Sequence, residues 1–414
     1  MRRGHVGPCL PVIVATTIVA IAILCRNRQP RRHASTRRRD MQTARSGPPV
    51  RTPDTRRAAA ACLETLLTQR LAPRGRAVSP LGAMRTAADC LERDAATSER
   101  VWIVRADARE PSADTDAHRR ISAWPLRFLD ARKRFEKPLL YLLHARATDR
   151  LRLASAETVD RGIFVNDAET VASSWPKGVT PDVPHWLAAN TACTPYDPAS
   201  GHEAIAILRH ALRALYVAGQ PGFCYLASHD DLVPEAKPLS ATAARDAFSG
   251  MVRAGRRAAA GAAAQIRLCG AGSTLAEVMK AADLLRDEWR IDSTIWSCPS
   301  YTQLARDGYA ADRWNLLHPY DEPRIAHVRR CIGNSRTPVL AVTGYARHVA
   351  AQIGAFVPAR FAALGADSAG PGAGAGTRAP NARWIATVAL RLLADDGRVP
   401  ADWAARAMRR HASG

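Results

Sequence analysis

Short runs dense in apolar and β-branched residues recur along this chain and constrain its fold more than any other feature. They are Val101–Val104, Leu139–Leu143, Gly162–Val165, Phe223–Leu226, Gln265–Leu268, Ile291–Trp296 and Val339–Val342. Each is too short for a stable helix, and several lack the polar alternation of a strand with one wet face. Such strands need cover on both sides. Segments of helical spacing lie between them, such as Leu81–Leu91 and Glu203–Val217. In the latter, Ala204, Ile205, Leu208, Leu212 and Leu215 share one face. Strands alternating with helices predict an α/β fold with mainly parallel sheets. A chain of 414 residues has room for two such bodies. The basic, then Ala-rich stretch Arg253–Ala264 reads as the join between them. Beyond it, helices are predicted over Leu275–Trp289, from about Thr302, and over His348–Phe356, Asn381–Ala394 and Ala401–His411. Gly270-Ala-Gly272 reads as a tight strand-to-helix turn. It lacks the third glycine and the lysine that a phosphate loop requires. Gly365–Pro380 reads as a flexible glycine-rich loop.

The net charge of +21 is unevenly spread, since residues 1–60 hold thirteen Arg against Asp40 and Asp54. The remainder reads as a bias toward Arg, and no specific nucleic-acid partner is expected. The nine Cys form no Cys-x-x-Cys and no close Cys/His cluster. That spacing opposes a disulfide framework and a zinc site, so reduced thiols are expected.

Cys9–Cys25 is uncharged and mostly apolar, close to the lower limit for crossing a hydrocarbon core about 30 Å thick. Arg2 and Arg3 precede it, and seven Arg follow between Arg26 and Arg39. The heavier positive side favours the cytoplasm. The expectation is an anchor within 1–25, giving a single-pass inner-membrane protein with a cytoplasmic body. Two other readings stand beside it. One is a cleaved signal with a site near Ala20-Ile-Ala22. The other is a true start at Met41, which makes the protein cytoplasmic. Residues 26–75 read as a disordered Arg-rich linker.

One stretch is more specific. Tyr301-Thr-Gln-Leu-Ala-Arg-Asp-Gly308 is followed by Arg313-Trp-Asn-Leu-Leu-His-Pro319 and Glu322-Pro-Arg324. With Leu268-Cys-Gly-Ala-Gly-Ser-Thr274, Val101–Arg109, Pro138–Leu143 and Ala192-Cys-Thr-Pro-Tyr-Asp-Pro198, it resembles the homodimeric bacterial pyruvate dehydrogenase decarboxylase. That enzyme is transketolase-like and depends on thiamine diphosphate and Mg²⁺. The resemblance implies two transketolase-like α/β domains. One is a degenerate pyrimidine-binding type at 76–255, and the other a C-terminal domain at 256–414. It also implies a homo- or heterodimer, because family active sites form between domains of opposite subunits. Carried over by motif, His185 and Asp107 are remnants of catalytic positions. Arg109, Arg313, Trp314, Asn315 and His318 are family-matching structural residues. Each has a plainer reading. His185 suits a surface or capping histidine, and Asp107 with Arg109 suits a structural ion pair.

The departures from the family set the functional expectation. No Gly-Asp-Gly occurs, and no stretch before residue 75 suits a diphosphate domain. Seven residues before Trp124, where the family has its cofactor-activating Glu, stands Ala117. No Ser-His-Asp or Cys-His signature is visible. No cofactor is therefore expected on the lone chain, which is expected to be non-catalytic by itself and to act by interaction or regulation. The alternative is a subunit of a split enzyme for oxidative decarboxylation of pyruvate or another 2-oxo acid, with a partner chain supplying the diphosphate- and Mg²⁺-binding domain.

Overall fold

The computed structural model of the protein describes residues 52–68, 77–106, 136–168, 182–233, 237–368 and 379–412. The described strands form two five-stranded sheets.

The first sheet contains β1 (Trp102–Ala106), β2 (Leu139–Leu143), β3 (Gly162–Asn166), β4 (Cys193–Tyr196) and β5 (Phe223–Ala227). All its pairings are parallel, in the order β1-β2-β3-β5-β4. The reason for the unbroken apolar runs is visible in β2, where successive side chains point to opposite faces. Leu140 and Leu142 pack with α1 (Pro53–Thr68), α2 (Pro80–Arg93) and α5 (Gly201–Leu212). Leu139, Tyr141 and Leu143 pack on the other side with α3 (Thr148–Glu157) and α4 (Asp182–Ala189).

Local chemistry sets the helix starts. Ser79 caps α2 by accepting from the Gly82 amide at 3.1 Å, with Pro80 in the first turn. Ser200 caps α5, and the Glu203 carboxylate reaches back to accept from the Ala199 amide at 2.9 Å. The helix predicted through Val217 changes form at its end. Arg213–Ala218 is a π-helical turn that stops at Gly219, whose φ is 86°. This turn brings the Tyr216 hydroxyl to accept from the Leu139 amide at 3.0 Å.

Helix α1 replaces the disordered-linker reading for residues 53–68. Its Ala58, Ala59, Cys62, Leu63 and Leu66 are buried, a stripe at helical spacing that the surrounding Arg-rich composition obscures.

The second sheet contains β6 (Val252–Arg257), β7 (Ala264–Gly270), β8 (Ile291–Ser297), β9 (Val339–Val342) and β10 (Phe361–Leu364), in the order β10-β9-β7-β8-β6. Only β6 runs antiparallel to its described neighbour. The reading of Arg253–Ala264 as a join is thus corrected for its first residues. They belong to an edge strand, where charged side chains are tolerated and discourage further pairing. Arg256 donates to Asp292 at 3.1 Å, and Arg257 pairs with Asp283 at 2.8 Å. Helices α6 (Ala241–Phe248), α7 (Thr274–Trp289), α8 (Tyr301–Leu317), α9 (His327–Ile332), α10 (Ala382–Asp395) and α11 (Asp402–Ala412) complete the second half. Residues of α7, α10 and α11 cover one face of the second sheet, and those of α8 and α9 the other. The helix expected over His348–Phe356 is two shorter pieces, His348–Ala351 and a 3-10 turn at Gly354–Phe356.

The expectation of a single-pass inner-membrane protein is corrected as well. Among the described residues no helix is long and apolar enough to cross a membrane. The run Cys9–Cys25 and the arginines after it lie outside the described residues.

Candidate functional site

The carboxyl ends of the parallel strands of both sheets meet, which is where α/β folds place their ligands. The segment after β4 is the contact. The Asp197 amide donates to the Pro299 carbonyl at 2.6 Å, and the Gly272 amide donates to the Asp197 carbonyl at 2.9 Å. The Ser300 hydroxyl donates to the Pro195 carbonyl at 2.5 Å. Arg306 on α8 adds a charged staple. It donates to the Ala188 and Asn190 carbonyls, each at 3.0 Å, and to that of Cys193. These are carbonyls of the α4 end and of β4, which a helix terminus leaves open.

The glycine turn after β7 takes its meaning from this contact. Gly272 has φ 55°, and a Cβ there would collide with the Asp197 carboxylate. Glycine is required on both counts, steric room and left-handed backbone.

A small cavity of about 40 Å³ remains at the junction. Tyr225, Tyr301 and Tyr345 line it with Thr302, Thr343 and Asp197. It has room for a few water molecules.

Beside it, the polar groups at the ends of β2 and β3 are bound to one another. His144 Nδ1 lies 2.7 Å from Asp167 Oδ1, and Arg85 donates to Asp167 Oδ2 at 3.0 Å. Arg146 donates to His144 Nε2 at 2.9 Å. With Arg146 donating to Nε2, the imidazole carries its proton on Nδ1 and donates it to the carboxylate. Asn166 bridges both backbone groups of Ala145 at 2.9 Å each and donates to the Tyr225 hydroxyl at 2.9 Å. Sequence inspection missed this His144–Asp167 network. Its members are far apart along the chain and carry no motif; the position of each at a strand's carboxyl end was the available signal.

Electrostatics here favour inert groups. Burial pushes the thiols of Cys193 and Cys298 well above their ordinary value and that of Cys224 to about 12. Thiols so protonated are poor nucleophiles. Burial also raises the Glu203 carboxyl and the Tyr301 phenol.

The sequence candidates fall in three places. His185, on α4, is exposed and stacks on the His348 ring, with centroids 4.3 Å apart and planes at 6°. Trp314, Asn315 and His318 form one surface assembly at the end of α8. The Trp314 and His318 rings stack at 3.7 Å, and the Arg324 guanidinium lies 3.5 Å from the Trp314 ring centre. Asn315 clamps the backbone of Arg324, accepting from its amide at 2.7 Å and donating to its carbonyl at 3.0 Å. Arg313 is exposed on the same helix. Asp107 and Arg109 lie outside the described residues.

The junction cavity formed by the described residues of one chain does not accommodate thiamine diphosphate. The junction cavity is far below the roughly 300 Å³ at which small-molecule pockets begin. One acid beside the crevice, Asp167, is engaged by His144 and Arg85. No group of three or more His, Cys, Asp or Glu able to hold a metal occurs among the described residues.

Burial pushes the His202, His210 and His348 imidazoles below their ordinary value near 6.5, with the His185 charge a second cause at His348. Groups depressed in the folded state contribute stability above the unfolded value and lose it as pH falls through the folded one. The urea midpoint is therefore expected to drop between pH 7.5 and 5.5. Glu203 acts in the opposite sense, so His348→Gln isolates one imidazole: its midpoint should vary less with pH than that of the wild type. An equal or steeper dependence in the variant would contradict this assignment.

Comparison with known proteins fits this architecture. A transketolase-like C-terminal domain matches residues 255–377. The pyruvate dehydrogenase E1 component of Cupriavidus necator is 34% identical over 231 residues, covering 54% of this chain and 25% of that protein. The pyruvate dehydrogenase E1 component of Pseudomonas aeruginosa is 34% identical over 224 residues, covering 51% and 25%. Transketolase from Leishmania mexicana superimposes with a TM-score of 0.50 at 15% identity, over 82% of this chain and 50% of that one. The chain thus has a transketolase-like fold and is related to pyruvate dehydrogenase E1 components over about half its length. It spans about a quarter of the length of those curated relatives.

Proposed function

We propose that this relative of the pyruvate dehydrogenase E1 component acts by associating with a second transketolase-like chain, either its own copy or an E1 subunit, and not by turnover of its own. The observation that carries the reading is an apolar surface at the end of α8. Leu316 is 80% exposed, Leu317 60%, Tyr320 100% and Ile325 54%. The Asn315 clamp on Arg324 holds the Ile325 segment against the helix end, so these side chains are presented on an ordered scaffold. Exposed apolar side chains gathered in this way are expected at an interface. The self-bound polar groups at the crevice support the reading that the chain does not turn over substrate by itself.

Sedimentation equilibrium of the full chain, alone and mixed with purified E1 from Pseudomonas aeruginosa, tests the proposal. Association is expected in one of these samples. The double variant Leu316→Asp, Tyr320→Ser is expected to weaken it by about a hundredfold, as for loss of two central apolar anchors. A chain monomeric in every mixture contradicts the reading. So does pyruvate decarboxylation by the chain alone with thiamine diphosphate and Mg²⁺. Calorimetric binding of thiamine diphosphate only in the presence of a partner chain would favour the split-enzyme alternative.

A further inference from the structure

A second cavity, away from the strand ends, lies between α1, α5 and α6, with a volume of about 440 Å³. That size falls in the range of small-molecule pockets, roughly 300 to 1,000 Å³. Its walls divide sharply in chemistry. Leu63, Ile205 and Leu239 supply an apolar floor, and Arg209, Arg213 and Arg245 supply cations with His202 and His210 beside them. No Asp or Glu is among its described lining residues. With no carboxylate among the described lining residues, the three guanidinium groups repel one another, and an anion would offset that repulsion.

Arg209 supplies an independent observation. One of its terminal nitrogens donates to the Leu66 carbonyl. Its Nε is buried and has no partner among the described residues. Burial pushes this guanidinium below its ordinary value. A buried donor without an acceptor is uncommon, because desolvating it carries a penalty that no bond returns. The neighbouring His210 ring stacks on Phe248 at 5.4 Å. It is held below its ordinary value by burial first, then by the charges of Arg213 and Arg245, which therefore bear on the same space.

We propose that this cavity binds an amphipathic carboxylate, with its head on Arg209 and Arg213 and a short acyl chain over Leu63, Ile205 and Leu239. A guanidinium matches a carboxylate through paired, charge-assisted hydrogen bonds, and the apolar floor removes the chain from water. No residue of this cavity belongs to the apolar surface on α8, so the binding neither requires nor excludes association with another chain.

Calorimetric titration of the full chain with sodium octanoate tests the assignment, with octanol and octylammonium as matched probes. Saturable binding is expected for octanoate, with octanol at least about tenfold weaker and octylammonium without saturable heat. Arg209→Met is expected to weaken octanoate by about tenfold while leaving octanol unchanged. Should Arg209→Met fail to fold, Arg213→Ala alters an exposed side chain and is expected to weaken octanoate in the same direction. The absence of saturable octanoate binding overturns the proposal, as does equal affinity for octanol or wild-type affinity in a folded variant.

Discussion

Gly272→Ala is expected to cost the folded chain about 2–5 kcal/mol, read as a lowered urea midpoint with an unchanged slope. Two terms make up this loss. A left-handed backbone costs an L-residue about 1–2 kcal/mol, and Gly272 holds φ 55°. Forcing a methyl group into occupied space typically costs a further 1–3 kcal/mol, and here the methyl would meet the Asp197 carboxylate. The terms separate experimentally. In an Asp197→Ala background the collision is relieved, and the same substitution should cost only the backbone share, about 1–2 kcal/mol. Equal costs in both backgrounds would show that the carboxylate is not what the glycine accommodates.

Arg161→Met should be of similar size, about 3–5 kcal/mol, because it breaks a buried ion pair from one side. Arg161 Nε donates to Glu136 at 2.7 Å, and Glu136 is 2% exposed. The other guanidinium nitrogens donate to the carbonyls of Gln220 at 2.8 Å and Leu215 at 3.1 Å, and the group lies 5.5 Å from the Tyr216 ring centre. One residue thus joins the start of β3 to the π-helical turn. Arg161→Lys keeps the charge but cannot reproduce the fork, so an intermediate loss is expected. Arg161→Met combined with Glu136→Leu should cost less than the sum of the single changes. Strict additivity in denaturant unfolding would sink the ion-pair account.

Much of the strand framework was legible, for a physical reason. A strand covered on both faces is written as a local apolar run, and Leu139–Leu143 matched its strand residue for residue. Elements whose stability comes from elsewhere were not legible. Strand β6 is an edge strand rich in arginine and resembles a linker. Strand β4 carries Pro195, which an edge position tolerates and a central one does not. Helix α1 has the first half of its apolar stripe written in alanine and cysteine, Ala58, Ala59 and Cys62, next to arginine. The site residues divide the same way. Trp314, Asn315 and His318 stood out because they lie within a few positions of one another and assemble locally. The stack of His185 on His348 joins residues far apart along the chain. So does the His144–Asp167 pair, and no periodicity announces either.

The placement of β5 between β3 and β4 has a consequence for biogenesis. During translation, β3 emerges with one side unsatisfied, and β4 has no place in the sheet until Phe223–Ala227 has left the ribosome. Through that interval an adhesive strand border is open to other nascent polypeptides, and chaperone demand should peak there. Once β5 inserts, both gaps close together.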